Sequence, residues 1–133
     1  LIRILLAGRY RSWVPANEEQ AKYWTTRQPI SALIEMQKTV DWANRQALES
    51  IDIPLATMYM ENDPTINSAA ARTVHNRFPN EHNQLIPVEP EGLAPDHVFC
   101  GQICGPHRTD WTVNTFELFL KSLPENLLFR ISR

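Results

Sequence analysis

Long hydrophobic runs, a large number of cysteines and an excess of positive charge are all missing from this sequence of 133 residues. No apolar stretch approaches the roughly 20 residues of a membrane-spanning helix. The apolar residues 1–6 are too few for a signal peptide, and no small-residue cleavage site follows them. Two cysteines do not make a disulfide framework, and a net charge of −2 gives no footprint for nucleic acid. We therefore expect a cytoplasmic protein that neither binds nucleic acid nor spans a membrane, and the start at Leu1 favours a fragment of something longer.

The composition is otherwise ordinary, with 43% hydrophobic and 21% charged residues, which is typical of a globular domain with a real core. The clearest helix is predicted over Ser31–Ile51, starting after Pro29 and unable to continue past Pro54. Its apolar residues recur at steps of three and four and share one face. They are Leu33, Met36, Val40, Ala43, Ala47 and Ile51.

Two strands are predicted after this helix. Pro54–Met60 is apolar almost throughout, which is typical of a strand covered on both faces, as in a parallel sheet. Asn67 or Ser68 can cap the helix that follows. The second, shorter strand is Leu85–Val88, and we expect an edge strand because Pro87 has no N–H to give to the ladder.

A last helix is predicted from about Asp110 to Leu123, with Pro124 as its stop. We expect its buried stripe to consist of Val113, Phe116, Leu120 and Leu123. Of the histidines outside the loop before this helix, His75 near a helix end and His82 in the next loop are expected to be exposed. Residues 1–7 fit a strand or a helix equally well.

The order of these elements is α/β in kind. A strand, a helix and a strand form a crossover, so the two strands should run parallel. Asp63 lies just past the carboxyl end of the first strand, and His97 lies in the loop past the carboxyl end of the second. Ligands bind at that edge of open α/β sheets. An Asp that holds a His by its ring N–H is the orienting half of a nucleophilic triad, in which the His takes a proton from a serine.

The segment IPLATMYMENDPTINSAAARTVHNRF, residues 53–78, resembles the region around the acid of the α/β-hydrolases, in particular their monoglyceride-lipase and carboxylesterase branch. APDHV, residues 94–98, resembles the histidine loop of that branch, and residues 111–123 its closing helix. RQPISALIEMQKTVDWANRQALESIDIP, residues 27–54, is similar to the stretch that leaves the cap. The resemblance spans roughly Tyr23 to Leu123. It implies that Asp63 is the triad acid and His97 the triad base of a carboxylic-ester hydrolase, with an ester as substrate and no cofactor.

The nucleophile elbow G-x-S-x-G of that family is absent from this sequence, and so is the oxyanion-hole loop that precedes it. The resemblance therefore implies the C-terminal part of an α/β-hydrolase fold, with few parallel strands and flanking helices. Residues 1–50 would form a cap-derived, mainly helical segment. Residues 51–133 would form the last two strands and helices of the core. We expect this chain alone to be inactive, and to associate with itself or with the missing first half through an unpaired strand edge.

Other interpretations stay open. His97, Cys100, Cys104 and His107 are zinc-ligand types, but a single compact run is an unusual structural site, and we expect no metal. Cys100 as a nucleophile beside His97 is a further alternative. The stretch GRYRSW, residues 8–13, alternates basic and aromatic residues and is interpreted as cap surface. The chain can also be a non-catalytic domain that keeps the hydrolase scaffold for binding, or a peptidase or amidase of the same superfamily.

Overall fold

The structure, a computed structural model, describes residues 9–90 and 97–127. The chain divides into two compact units, one that ends at Gln46 and one that begins at Ala47. The segment 1–7, for which strand and helix were both open, lies outside the described residues. Among the described residues, no helix has the length and the hydrophobicity that crossing a membrane requires.

The first unit begins with a small antiparallel ribbon. Strand β1 (Tyr10–Ser12) pairs with β2 (Arg27–Pro29), and the short helix α1 (Glu18–Tyr23) lies between them in sequence. Asn17 starts α1, since its Oδ1 accepts the N–H of Gln20 at 2.8 Å, as expected of an asparagine N-cap. No helix or strand had been predicted from the sequence over residues 9–29.

Helix α2 (Ile30–Asn44) follows directly after Pro29. The predicted helix ran to Ile51, and that boundary is wrong. The Nε2 of Gln46 donates to the carbonyl of Trp42 at 2.8 Å, which satisfies one of the carbonyls left at a helix end. A separate 3₁₀ turn (Leu48–Ser50) comes next.

The second unit is built on two parallel strands, β3 (Ala56–Tyr59) and β4 (Gln84–Pro87). Helix α3 (Ser68–His75) forms the crossover between them. Asn67 caps it by accepting the Ala70 N–H at 3.0 Å, so the predicted cap is confirmed. The predicted parallel pairing is confirmed as well. Within the described residues β3 pairs only with β4, so Pro87 stands in an edge strand, as expected.

The last helix, α4 (Thr109–Ser122), follows a 3₁₀ turn at Pro106–Arg108. Its predicted buried stripe is wrong except for Leu123, because the helix turns a neighbouring side to the unit. The buried residues are Thr112, Phe119 and Leu123. Three members of the predicted stripe are exposed, namely Val113, Phe116 and Leu120.

The rest of the described chain therefore covers only part of the apolar side of α4. The stripe predicted for α2 also faces solvent in part, since Met36 is 57% and Val40 is 46% exposed. The described part of the chain is mixed α/β and contains two sheets of two strands each. The described core is small. The second unit contains β3 and β4, the strands that precede the predicted site residues Asp63 and His97.

Candidate active site

The first component of the site is the turn that follows β3. Asn62 adopts a φ of 59°, in the left-handed region that asparagine tolerates better than most residues. This turn directs the chain so that Oδ1 of Asp63 accepts two backbone N–H groups, from Thr65 at 2.7 Å and from Ile66 at 2.6 Å. The sequence N-D-P-T is thus more than a chain reversal, because it fixes a carboxylate at the strand tip.

The Asp63 side chain is only 2% exposed. Burial by itself raises the pKa of this carboxyl group, but the N–H groups of Ile66 and Thr65 and the neighbouring imidazole of His97 outweigh it, so the pKa lies below its ordinary value. Asp63 is therefore a buried carboxylate that stays ionised at neutral pH. Such a group, held by its own chain, is suited to orient a partner rather than to exchange protons.

The second component is the imidazole of His97, from the loop after β4. Its Nδ1 lies 3.3 Å from Oδ2 of Asp63. No hydrogen bond of regular geometry reaches this buried oxygen from the described residues, and 3.3 Å is beyond the usual N–H···O range. The contact is therefore close but loose. The expected approach of Asp63 and His97 at the carboxyl edge of two parallel strands is confirmed, whereas their catalytic role stays a prediction.

A cluster of polar side chains holds the Asp63 turn against α3. Glu61 accepts a hydrogen bond from the Arg72 guanidinium on one carboxylate oxygen. It accepts another from the Ser68 hydroxyl, at 2.7 Å, on the other oxygen. The same guanidinium lies 5.5 Å from the Tyr59 ring centroid at the end of β3. Strand end, turn and helix start are thereby joined around Asp63.

Beside this turn lies a shallow, open depression of about 360 Å³, lined by residues 62–68. Most of its lining is polar, with Pro64 and Ile66 as the apolar contributions. Ligand sites of this size are usually lined mainly by apolar side chains. The depression therefore gives access to the Asp63 turn, but it does not by itself form a pocket for an apolar acyl group.

The possible zinc ligands do not form a centre. In the part of the chain that the structure describes, no three His, Cys, Asp or Glu side chains are grouped to hold a metal ion. Cys100 and Cys104 are half-buried and are not joined in a disulfide. His97, the first residue of the proposed run, instead contacts Asp63.

His75 was expected to be exposed, and this prediction is wrong. The side chain is buried, and its Nδ1 lies 2.8 Å from the Thr57 hydroxyl on β3. Burial lowers the pKa of His75 below its ordinary value. The reason is positional, since the last turn of α3 packs on the strand it crosses. His75 is thus a neutral part of the packing beneath the strand that carries Asp63.

Sequence reasoning missed the residues that support the site. The spacing of Ser68 and Arg72, four apart on one helix, signals a shared face on which Glu61 can bind both. The loop after His97 contains a second signal, G-x3-G-x3-T at residues 101–109. Its geometry, which ties the loop to α4, could not be seen without the fold.

No protein-family model, curated protein or solved structure matches this chain. The similarity to α/β-hydrolases stays a prediction that depends on the quoted residues.

Proposed function

We propose that this chain supplies the acid and base of a Ser-His-Asp hydrolase that acts on carboxylic esters. The observation that carries the proposal is the 3.3 Å approach of His97 Nδ1 to the buried Asp63 carboxylate at the carboxyl edge of β3 and β4. The two side chains come from loops more than 30 residues apart along the chain, so local turn chemistry does not account for their meeting.

The chemistry follows from the atoms involved. When the 3.3 Å contact shortens to a hydrogen bond, Asp63 accepts the N–H of Nδ1, which leaves Nε2 as the nitrogen that can accept a proton. Nε2 then takes the proton of a serine hydroxyl as the oxygen attacks the ester carbonyl, and returns it to the leaving alcohol. The ionised Asp63 stabilises the imidazolium between these two steps.

The nucleophile has to come from elsewhere, because the sequence has no G-x-S-x-G. We propose that the chain is the C-terminal part of an α/β-hydrolase, with the elbow and the oxyanion donors on the polypeptide that precedes it. We also propose a cytoplasmic setting, because Cys100 and Cys104 are not joined in a disulfide, as is usual in a reducing compartment. No cofactor is needed for this reaction class.

The exposed side of the second unit supports an association. Val113, Phe116 and Leu120 form an uncovered apolar stripe on α4, and β3 is paired on one side within the described residues. We propose self-association, or binding to the part that carries the nucleophile. Sedimentation across a concentration series tests it. A monomer at high concentration that also fails to bind the preceding polypeptide contradicts it.

The decisive experiment uses the polypeptide encoded by the whole reading frame that contains this sequence. We expect hydrolysis of p-nitrophenyl butyrate and labelling by a fluorophosphonate. Asp63→Asn should lower kcat by about 10⁴-fold, and His97→Ala should lower it to a similar extent, each with an unchanged circular dichroism spectrum. His82→Ala, a half-buried histidine of the same unit, is the matched control and should leave kcat unchanged.

The isolated chain should hydrolyse the same ester no faster than buffer, because nucleophile and oxyanion donors are missing. Turnover by the isolated chain that His97→Ala abolishes would contradict this, and would indicate another nucleophile such as Cys100. Preference for an anilide over the ester in the complete protein would favour a peptidase or amidase.

A second candidate function is a non-catalytic binding domain. The absence of G-x-S-x-G from the sequence favours it. A complete reading frame without an elbow serine, and without labelling by fluorophosphonate, would decide for this candidate.

A further inference from the structure

The loop after His97 is closed by a backbone hydrogen bond and by a hydroxyl group that bonds to both of its ends. Gly101 and Gly105 form an antiparallel bridge, and the Gly105 N–H donates to the Gly101 carbonyl at 3.0 Å. The Thr109 hydroxyl accepts the Gly101 N–H at 3.0 Å and donates to the Gly105 carbonyl at 3.3 Å. The first residue of α4 thus holds both ends of the five-residue loop.

The same loop packs closely against the backbone of Phe99, two residues after His97. Gly105 is buried, and a Cβ at this position would lie 2.1 Å from the carbonyl oxygen of Phe99. No Cβ tolerates a backbone atom at that distance, so this approach requires glycine. Phe99 comes two residues after His97, which leaves little freedom between the fixed backbone and the imidazole.

His97 needs such support more than Asp63 does. Its side chain is 42% exposed, whereas the Asp63 side chain is 2% exposed. The two backbone N–H groups that hold Asp63 belong to its own turn. The long 3.3 Å contact supplies little restraint of its own, because hydrogen bonds weaken quickly beyond the usual range.

We propose that Thr109 and Gly105 are positioning residues that hold the His97 imidazole against the Asp63 carboxylate. The hydroxyl of Thr109 fixes the glycine loop to α4, the loop fixes the Phe99 backbone, and that backbone places His97. The inference deepens the proposed function and rests on it for the chemical meaning of the contact. The contact itself is measurable without any catalytic assay.

The test is a carboxyl ¹³C NMR titration of Asp63 in the isolated chain. His97 contributes to the lowered pKa of Asp63, so His97→Gln should raise that pKa and define the full effect. Thr109→Val keeps the shape of the side chain and removes the hydroxyl. It should reproduce most of the rise seen with His97→Gln. Thr109→Ser keeps the hydroxyl and should restore the pKa of the unaltered chain.

Thr115→Val is the matched control, because the Thr115 hydroxyl lies on the same helix and donates to the carbonyl of Trp111. It should leave the pKa of Asp63 unchanged. Gly105→Ala is the second variant, since its Cβ displaces Phe99 without removing a donor, and it should also raise the pKa. Circular dichroism establishes that each variant is folded.

Three results would overturn the inference. The first is that Thr109→Val and Gly105→Ala both leave the Asp63 pKa unchanged while His97→Gln raises it. The second is that Thr109→Ser behaves like Thr109→Val. The third is that His97→Gln itself has no effect, which would mean that the contact does not persist in solution. The first two results leave the Asp63–His97 contact intact and count only against the positioning role. The third also removes the observation on which the proposed function rests, so failure of the positioning role and failure of the proposed function are distinguishable.

Discussion

Asp63 and His97 meet at one edge of the sheet, but the molecule holds them in different ways. The Asp63 turn is fixed by neighbours in sequence, since Thr65 and Ile66 donate to its carboxylate. His97 lies in a loop that is fixed from a distance, through Gly105 and Thr109. The placement of Asp63 is thus a property of a short segment, whereas that of His97 depends on a helix that begins twelve residues later.

This difference has an energetic side. A hydrogen bond to a charged group contributes about 1.5–3 kcal/mol net of competition with water, and Asp63 receives two from the backbone on one carboxylate oxygen. His97 is partly exposed, and exposed ion pairs contribute about 0–1 kcal/mol. Variants of the turn should therefore change stability directly, whereas variants at His97 itself should change it little.

The largest effect is expected from the loop. Gly105→Ala should lower the free energy of unfolding by about 3 kcal/mol, because its Cβ overlaps the Phe99 carbonyl and the backbone around the buried Gly105 has to move. Urea unfolding followed by circular dichroism measures it. Gly101→Ala is the matched control. Its Cβ meets nothing within 4 Å, and its φ of 89° leaves a backbone strain of about 1–2 kcal/mol. Equal losses in the two variants would show that Phe99 yields freely.

The next effect is expected from the turn. Asp63→Ala should lower the free energy of unfolding by about 2 kcal/mol, since two backbone N–H groups lose their charged acceptor. Asp63→Asn keeps an acceptor oxygen and should lose about half as much. Asp110→Asn, an exposed aspartate in the first turn of α4, should change stability by less than about 1 kcal/mol. A harmless Asp63→Ala would mean that the turn forms without its carboxylate.

A smaller effect is expected at the residue that precedes the acid. Asn62→Ala should cost about 1 kcal/mol because its φ of 59° lies in the left-handed region. Asn62→Gly relieves that restriction and should leave stability within about 0.5 kcal/mol of the unaltered chain. Thermal unfolding of the two variants side by side gives the difference. If alanine is tolerated as well as glycine, the turn does not depend on this conformation.

Acid should act on the second unit in two separate pH ranges. Burial lowers the pKa of His75 below 6.5, so its contribution is complete above the unfolded value and is lost as pH falls through the folded one. The pKa of Asp63 lies below 3.8, so its contribution is lost only in stronger acid. The free energy of unfolding, measured from pH 7.5 downward, should fall in two steps, the first from His75 and the second from Asp63. The first step should be absent in His75→Gln and the second in Asp63→Asn. A curve that both variants leave unaltered would contradict the assignment.

Local sequence patterns predicted a good part of the second unit. The continuous apolar run before Asp63 predicted β3, Asn67 predicted the cap of α3, and the crossover predicted a parallel pair, because each follows from backbone geometry and nearby side chains. The Asp63 and His97 approach followed from topology alone, since carboxyl ends of neighbouring parallel strands share an edge.

Other features were predicted wrongly or not at all. The buried stripe of α4 was predicted from the periodicity of its apolar residues. Periodicity shows which side of a helix is apolar, but not how much of that side the rest of the chain covers. Val113 and Leu120 were therefore predicted to lie in the core, although they are exposed. His75 was placed at the surface because a polar side chain near a helix end is usually solvated, yet it packs against Thr57.

The sequence by itself determined the apolar strand that precedes Asp63 and the turn that holds its carboxylate, because these depend on residues a few positions apart. The tertiary structure decided how deeply Asp63 is buried, which side of α4 is covered and how the loop holds His97. These depend on contacts between distant segments. The Phe99 carbonyl occupies the space that a side chain at position 105 would need. The Thr109 hydroxyl bonds to both ends of the glycine loop. Neither contact forms until α4 has packed against the loop.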